Sequence, residues 1–366
     1  YTRRGSWGDD RHVILGFPHE STTDDAERRL PDPASARALL GDRAAPLDAL
    51  LGRRRREWST LAVSDEDRAL LERTFDAMTL AYARLALRHG HLGNDFHAYH
   101  NEGHILEICS DRLDRLIESN GLRTFGLRDL CALSLFGASH DLRQREAPQL
   151  VGGVGANERA SIEETCRLLQ TCGFFIAHDS AIHDALELMI AGSTFDARPL
   201  PGGHLYNAAD LVQSGGALAA RLDQVLDARR PDWRDNAGLV HAQQLALIAA
   251  DLDTANVSEP FRQFATSAEN LCREREMLSG RSLDAGESAL PVLGFLTDGQ
   301  DRFFFDLHRF HSEPGRAAFE SGKQANAPQL KALCMGVRAR IAVQGAPSDG
   351  NQVIAAYRQT LADLLG

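Results

Sequence analysis

Tyr99-His100-Asn101-Glu102-Gly103-His104 is the stretch that decides how the rest of the chain is read. Histidines four residues apart lie on one side of a helical turn, so the imidazoles of His100 and His104 can address one small object in a cleft. A metal ion is the object they suit. The same spacing serves any buried helix face, so the pair gains weight from residues further along the chain. His140-Asp141 stands at the end of a segment, 127–138, that is apolar nearly all round, and Asp251 closes the apolar run of 239–250. A carboxylate at the buried end of a helix is costly unless a cation or donors receive it.

The 366 residues are enough for one large domain with a sizeable core. Ala, Leu, Arg, Glu and Asp dominate while β-branched runs are short, which predicts an all-α protein. The balance of 40 Lys plus Arg against 51 Asp plus Glu leaves a net charge of −11, which argues against nucleic acid as a partner. A small phosphate-bearing substrate stays open, since a bound cation can supply the local positive field. The six cysteines form no C-x-x-C and sit mostly inside apolar helical patterns, so they are expected to be reduced, buried thiols. No apolar run of about 18 residues and no signal segment is visible, and a cytoplasmic protein without a membrane anchor is the expectation.

Along the chain, residues 1–63 carry Pro18, Pro31, Pro33 and Pro46 and no sustained helical period, and are expected to be a partly irregular extension. Their run Arg53 to Arg56 reads as a solvated helix face rather than a contact for an anion. Residues 64–366 are expected to form the helical domain. Ser64 with Asp67 signals a helix start, and Leu70, Leu71, Phe75, Met78 and Leu80 carry the apolar stripe towards Gly90. From His100 a further helix is predicted through Ile105, Ile108, Leu113 and Leu116, which puts the histidine motif on the first turns of a core element. His97 lies close enough to that motif to be kept in view. The glycines at 152, 153 and 155 lack the ending of a phosphate-binding loop and read as a flexible segment. Asn157 suits an N-cap, and Glu158 can serve either as a helix-start charge or near the metal through water. Two further His-Asp pairs, at 178 and 183, follow no continuous apolar helix and read as decoys. Asp210 competes with Asp251 for the last ligand position, from a weaker context. Two helices, near 327–343 and 351–365, are expected to close the chain.

The order H-N-x-x-H, H-D, A-D-L and Q-x-x-F resembles the class I cyclic nucleotide phosphodiesterases, within the HD metal-dependent phosphohydrolase superfamily. The resemblance covers roughly residues 64–345 and rests on the order of the motifs rather than on any one of them. It implies a multi-helix bundle in which His100 is the general acid and His104, His140, Asp141 and Asp251 hold metal. It further implies that Gln300 hydrogen-bonds a nucleobase and Phe303 stacks on it. Asn101 and Glu158 are candidates to support the ligands from behind. Two histidines with two carboxylates suit Zn, Fe or Mn, with Asp141 able to bridge to a second ion, Mg or Mn. Two departures stand out. Gln144 occupies the position of the family's later histidine, and Thr254 that of the asparagine expected three residues after the A-D-L aspartate, with Asn256 displaced.

The activity implied is hydrolysis of a 3′,5′-cyclic nucleotide to the 5′-nucleotide, with a small-molecule nucleotide as the partner and the oligomeric state left open, a homodimer included. The alternatives are an HD-type phosphohydrolase acting on a non-cyclic nucleotide, and a nucleotide-binding regulator that has lost turnover.

Overall fold

The computed structural model describes residues 14–15, 22–146, 155–196 and 216–366 of the chain. Asp210, Gly152 and Gly153 lie outside the described residues. The fold is all-α, and among the described residues the sole strand pairing is a two-residue antiparallel contact of Phe195–Asp196 with Gly216–Ala217.

The central helices explain why the site can form. Helix α4 (Asp65–Arg88) starts at a reciprocal capping box between Ser64 and Asp67 and buries Leu70, Phe75, Met78, Leu80 and Leu85. Helix α7 (Leu127–Ser139) is buried on nearly every side, as its apolar composition predicts, and packs on α4 and on α9 (Ile176–Ser193). Helix α11 (Ala237–Asp253) runs along α9. The last residues of α7 and α11 therefore open into the same interior space. Helix α5 (Glu102–Glu107) passes through a wide π-type turn at Ile108–Arg112 into α6 (Leu113–Asn120). Similar wide turns interrupt the chain at Phe295–Gly299 and Phe303–Leu307, on either side of the short helix α14 (Gln300–Arg302). Among the described residues no helix is long and apolar enough to cross a membrane.

The extension expected to be partly irregular is helical in much of its described part, where α1 (Asp25–Arg29), α2 (Pro33–Leu40) and α3 (Ala45–Glu57) fold onto the body. Their periodicity is weak because each is short and is started by its ends, with Asp24 and Asp32 capping and Pro33 in the first turn. Leu40, Leu47, Leu50 and Trp58 join the same continuous core as the later helices. The arginine run is only partly solvated. Arg54 is buried and donates to the carbonyl of Cys109 at 2.7 Å, and its guanidinium lies 2.5 Å from Asp114. One expectation is corrected at the end of the chain: the helix expected from about 327 starts earlier, so that one long helix, α15 (Glu313–Gln344), carries Pro328 inside it before α16 (Gly350–Leu365). Because Trp58 is fully buried, Trp58→Ala is expected to cost about 3–5 kcal/mol of stability. Denaturant unfolding checks this, and a change within error would mean that the segment is peripheral.

Candidate metal centre

The ends of α5, α7 and α11 bring His104, His140, Asp141 and Asp253 together. His104 Nε2 lies 3.7 Å from Asp141 Oδ2 and 3.5 Å from Asp253 Oδ1. His140 Nε2 lies 3.0 Å and 3.3 Å from the same two oxygens. Bonds of about 2.0–2.2 Å to a tetrahedral ion would separate its ligand atoms by about 3.3–3.6 Å, the range these contacts straddle. His104 Nε2, His140 Nε2 and Asp141 Oδ2 are buried without a hydrogen-bond partner. Orphaned polar atoms aimed at one point are costly unless an ion receives them, and this buried His/Asp group could hold a metal ion. His140 Nδ1 faces the carbonyl of Phe136 at 3.2 Å, which places the ring proton there and turns Nε2 inward. Burial opposes charge on His140, yet Asp141 and Asp253 push its pKa up to about 10. The same contacts hold both carboxylates below their usual range against the effect of burial.

Asp251, expected from the sequence to hold metal, is not part of this cluster, and Asp253 stands there in its place. Two residues along a helix rotate a side chain by about 200°, so the two aspartates of Asp251-Leu252-Asp253 face opposite ways. Asp251 is fully buried and accepts from the backbone N–H of His311 at 2.7 Å and of Ser312 at 2.8 Å, and from the Ser312 hydroxyl at 2.6 Å. It fastens the start of α15, and any side chain at Gly315 would collide with it. Burial pushes its pKa up to about 6. Counted from Asp253, Asn256 falls three residues later, where the resemblance expects an asparagine.

Arg112 holds Asp253 in place. Its buried guanidinium donates to the carbonyls of Leu252 and Asp253 at 3.2 and 2.5 Å and to Glu259 Oε1 at 2.8 Å. A cation on the last carbonyls of α11 is the favourable charge for that helix end. Arg112→Leu strands Glu259 and those carbonyls and is expected to cost about 3–5 kcal/mol, read as a lowered melting temperature.

His100 is not on a helix. Asn101 is the N-cap of α5: its side chain accepts from Gly103 N at 2.8 Å and donates to the carbonyl of His97 at 2.7 Å. His100 therefore sits on the preceding segment, its Nε2 3.9 Å from Asp141 Oδ2. Sequence reasoning missed its partner. Glu274, on α12 (Phe261–Leu278) and only 1% exposed, accepts from the N–H groups of Tyr99 and His100, each at 2.9 Å, and meets His100 Nδ1 at 2.5 Å. Burial disfavours a charged His100, but Glu274 and then Asp141 overcome it and push the pKa up to about 9.

Gln144, the departure from the family pattern, donates to Asp141 Oδ1 at 2.7 Å and accepts from Asn157 at 3.3 Å. Glu158, near the start of α8 (Ala156–Thr171), has a buried Oε2 without a hydrogen-bond partner. Burial, then the fields of Asp141 and Asp253, push its pKa up to about 7, so it stands in the electrostatic reach of the centre. Gln300 is buried, and Phe303, three residues on, is half-buried. The Phe303 ring meets those of Phe195 and His308 at 5.3 and 5.6 Å, and His308 Nε2 meets the Thr254 hydroxyl at 3.0 Å. Phe303 is thus linked through His308 to the residue beside Asp253. The other His-Asp pairs have structural partners: Asp179 binds Arg73, and His183 meets the carbonyl of Phe174.

A scan against protein-family models finds no match to the chain, and a search of curated proteins finds none either.

Proposed function

We propose that the chain is a metal-dependent phosphohydrolase that opens a phosphodiester, with a 3′,5′-cyclic nucleotide as its substrate. The observation that carries the reading is the meeting of His104, His140, Asp141 and Asp253, from separate helices, beside a histidine backed by a buried carboxylate. The four side chains would hold Zn, Fe or Mn. A second ion, Mg or Mn, would draw on Asp141 and on the unpartnered oxygen of Glu158. Bound divalent ions supply a nucleophile from water near neutral pH and positive charge opposite the phosphoryl oxygens.

The chain's own residues do the rest. His100, held protonated by Glu274, faces the centre with Nε2 and donates a proton to the departing sugar oxygen. Arg112 keeps the Asp253 end of α11 from drifting. Gln300 and Phe303 supply one hydrogen-bonding and one stacking surface for a base. Six free thiols support work in a reducing compartment.

Gln144 favours one further reading. Its amide occupies the second oxygen of Asp141, which weakens a bridged second ion and suits a phosphohydrolase acting on a non-cyclic nucleotide. Protein incubated with Mn or Mg and a panel of cyclic mono- and dinucleotides and 5′-nucleotides separates the two. Release of 5′-nucleotide from a cyclic mononucleotide is expected. Turnover confined to 5′-nucleotides selects the second reading, and tight nucleotide binding without product from any member of the panel overturns both.

A further inference from the structure

A second group of ligand-type side chains lies behind His100. His89 closes α4, and Asp95 and His97 stand on the segment that leads from it to the metal centre. Asp95 Oδ2 is 3.3 Å from His89 Nδ1 and 3.3 Å from His97 Nε2. These separations equal the edge of a tetrahedron built with metal–ligand bonds of about 2.0–2.1 Å. His89 is 2% exposed, and neither of its ring nitrogens has a hydrogen-bond partner. His97 is fully buried, and its Nδ1 faces Glu274 Oε1 at 3.2 Å. His97 Nε2 lies within hydrogen-bonding reach of Asp95 Oδ2, while Nδ1, despite its closeness to Glu274, has no hydrogen-bond partner. Two imidazoles converge on one carboxylate oxygen, and the buried His89 ring leaves both its nitrogens unpartnered, a cost that a cation between the three side chains would remove. A histidine whose far nitrogen is braced by a carboxylate is the usual setting of a metal ligand.

We propose that His89, Asp95 and His97 form a second metal site, for zinc or a divalent ion of similar softness, distinct from the His104 centre. Three protein ligands leave a fourth position for water. Asp95 is partly exposed, so the ion has a path from solvent, and Arg145 steadies its carboxylate from outside with Nε at 2.8 Å. The ion joins the end of α4 to the segment carrying Tyr99 and His100, whose backbone is already tied there by His97 N–H to the His89 carbonyl at 2.8 Å. Through His97 it also fixes Glu274, which accepts from His100. The role is positioning, and it holds whatever reaction the His104 centre performs.

The test uses the full chain stripped with chelator and titrated with Co2+, followed by visible absorption and by metal counting after gel filtration. The wild type should take up one equivalent more than His89→Gln. His104→Ala should keep that equivalent, with the intense visible bands of tetrahedral cobalt. Asp95→Asn, a change at a partly exposed position that leaves the core intact, should weaken this equivalent by more than the about 10–100-fold that losing a hydrogen-bonding partner behind a ligand costs. Should His89→Gln fail to fold, Asp95→Asn and His104→Ala decide alone. Uptake and spectrum unchanged in Asp95→Asn, or no Co2+ retained by His104→Ala, would overturn the assignment.

Discussion

Asp253→Asn is expected to lower metal affinity by more than about 100-fold and to abolish hydrolysis, while Asp251→Asn keeps its metal. The two aspartates share a helix turn and differ in what faces them. Asp253 presents Oδ1 to His104 and His140 at 3.5 and 3.3 Å, so its neutral amide removes one of two carboxylates from the ligand set. Asp251 points to Ser312 and the start of α15. An amide there keeps one acceptor oxygen but also turns an N–H2 towards donors, which costs on the order of 1–3 kcal/mol of stability. Equilibrium dialysis with zinc, beside melting curves for both variants, measures the contrast. Equal metal loss in the two would contradict the geometry.

Glu274→Gln is the second large effect. Removing the carboxylate takes away the strongest attraction that holds His100 protonated, so kcat should fall about 100- to 10,000-fold at alkaline pH, the range a general acid supplies. The sign follows from the pKa. In the folded chain His100 is raised to about 9, against about 6.5 for a free imidazole. The stability this pairing contributes is fully present below about 6.5 and is lost as pH rises through about 9. Activity that needs the protonated ring follows the same direction, so the alkaline limb of kcat/KM should lie near 9 and move down by a unit or more in Glu274→Gln. His100→Asn should remove the limb altogether. A profile that does not move in Glu274→Gln would show that the carboxylate serves only to pack α12.

Much of the fold and of the buried His/Asp cluster is legible in the sequence, and the exceptions have physical causes. His104, His140 and Asp141 can be read because each sits where an apolar helix ends or begins, and polar side chains at such places need a purpose. Asp251 and Asp253 cannot be separated by apolar pattern alone, since both come after the same run and helix rotation decides between them. Asn256, three residues beyond Asp253, is the signal that could have done so. Glu274 is hidden because Arg273-Glu274-Arg275-Glu276 has the composition of a solvated face, although both Glu274 and Glu276 are buried. His100 reads as helical because spacing cannot reveal that Asn101 starts the helix one residue later. The helices before residue 58 leave little trace because caps and a few leucines make them, not a long stripe.

The wide turns that flank Gln300 each hold one residue more than a regular α-helical turn. A residue removed from a regular α-helical turn rotates everything after it by about 100°. A wide turn takes up its extra residue locally, so removing one from Phe295–Gly299 would let the helix close to normal pitch while Gln300 and Phe303 keep the wall they face. Such turns are places where this part of the chain can lose a residue without re-aiming the side chains that follow.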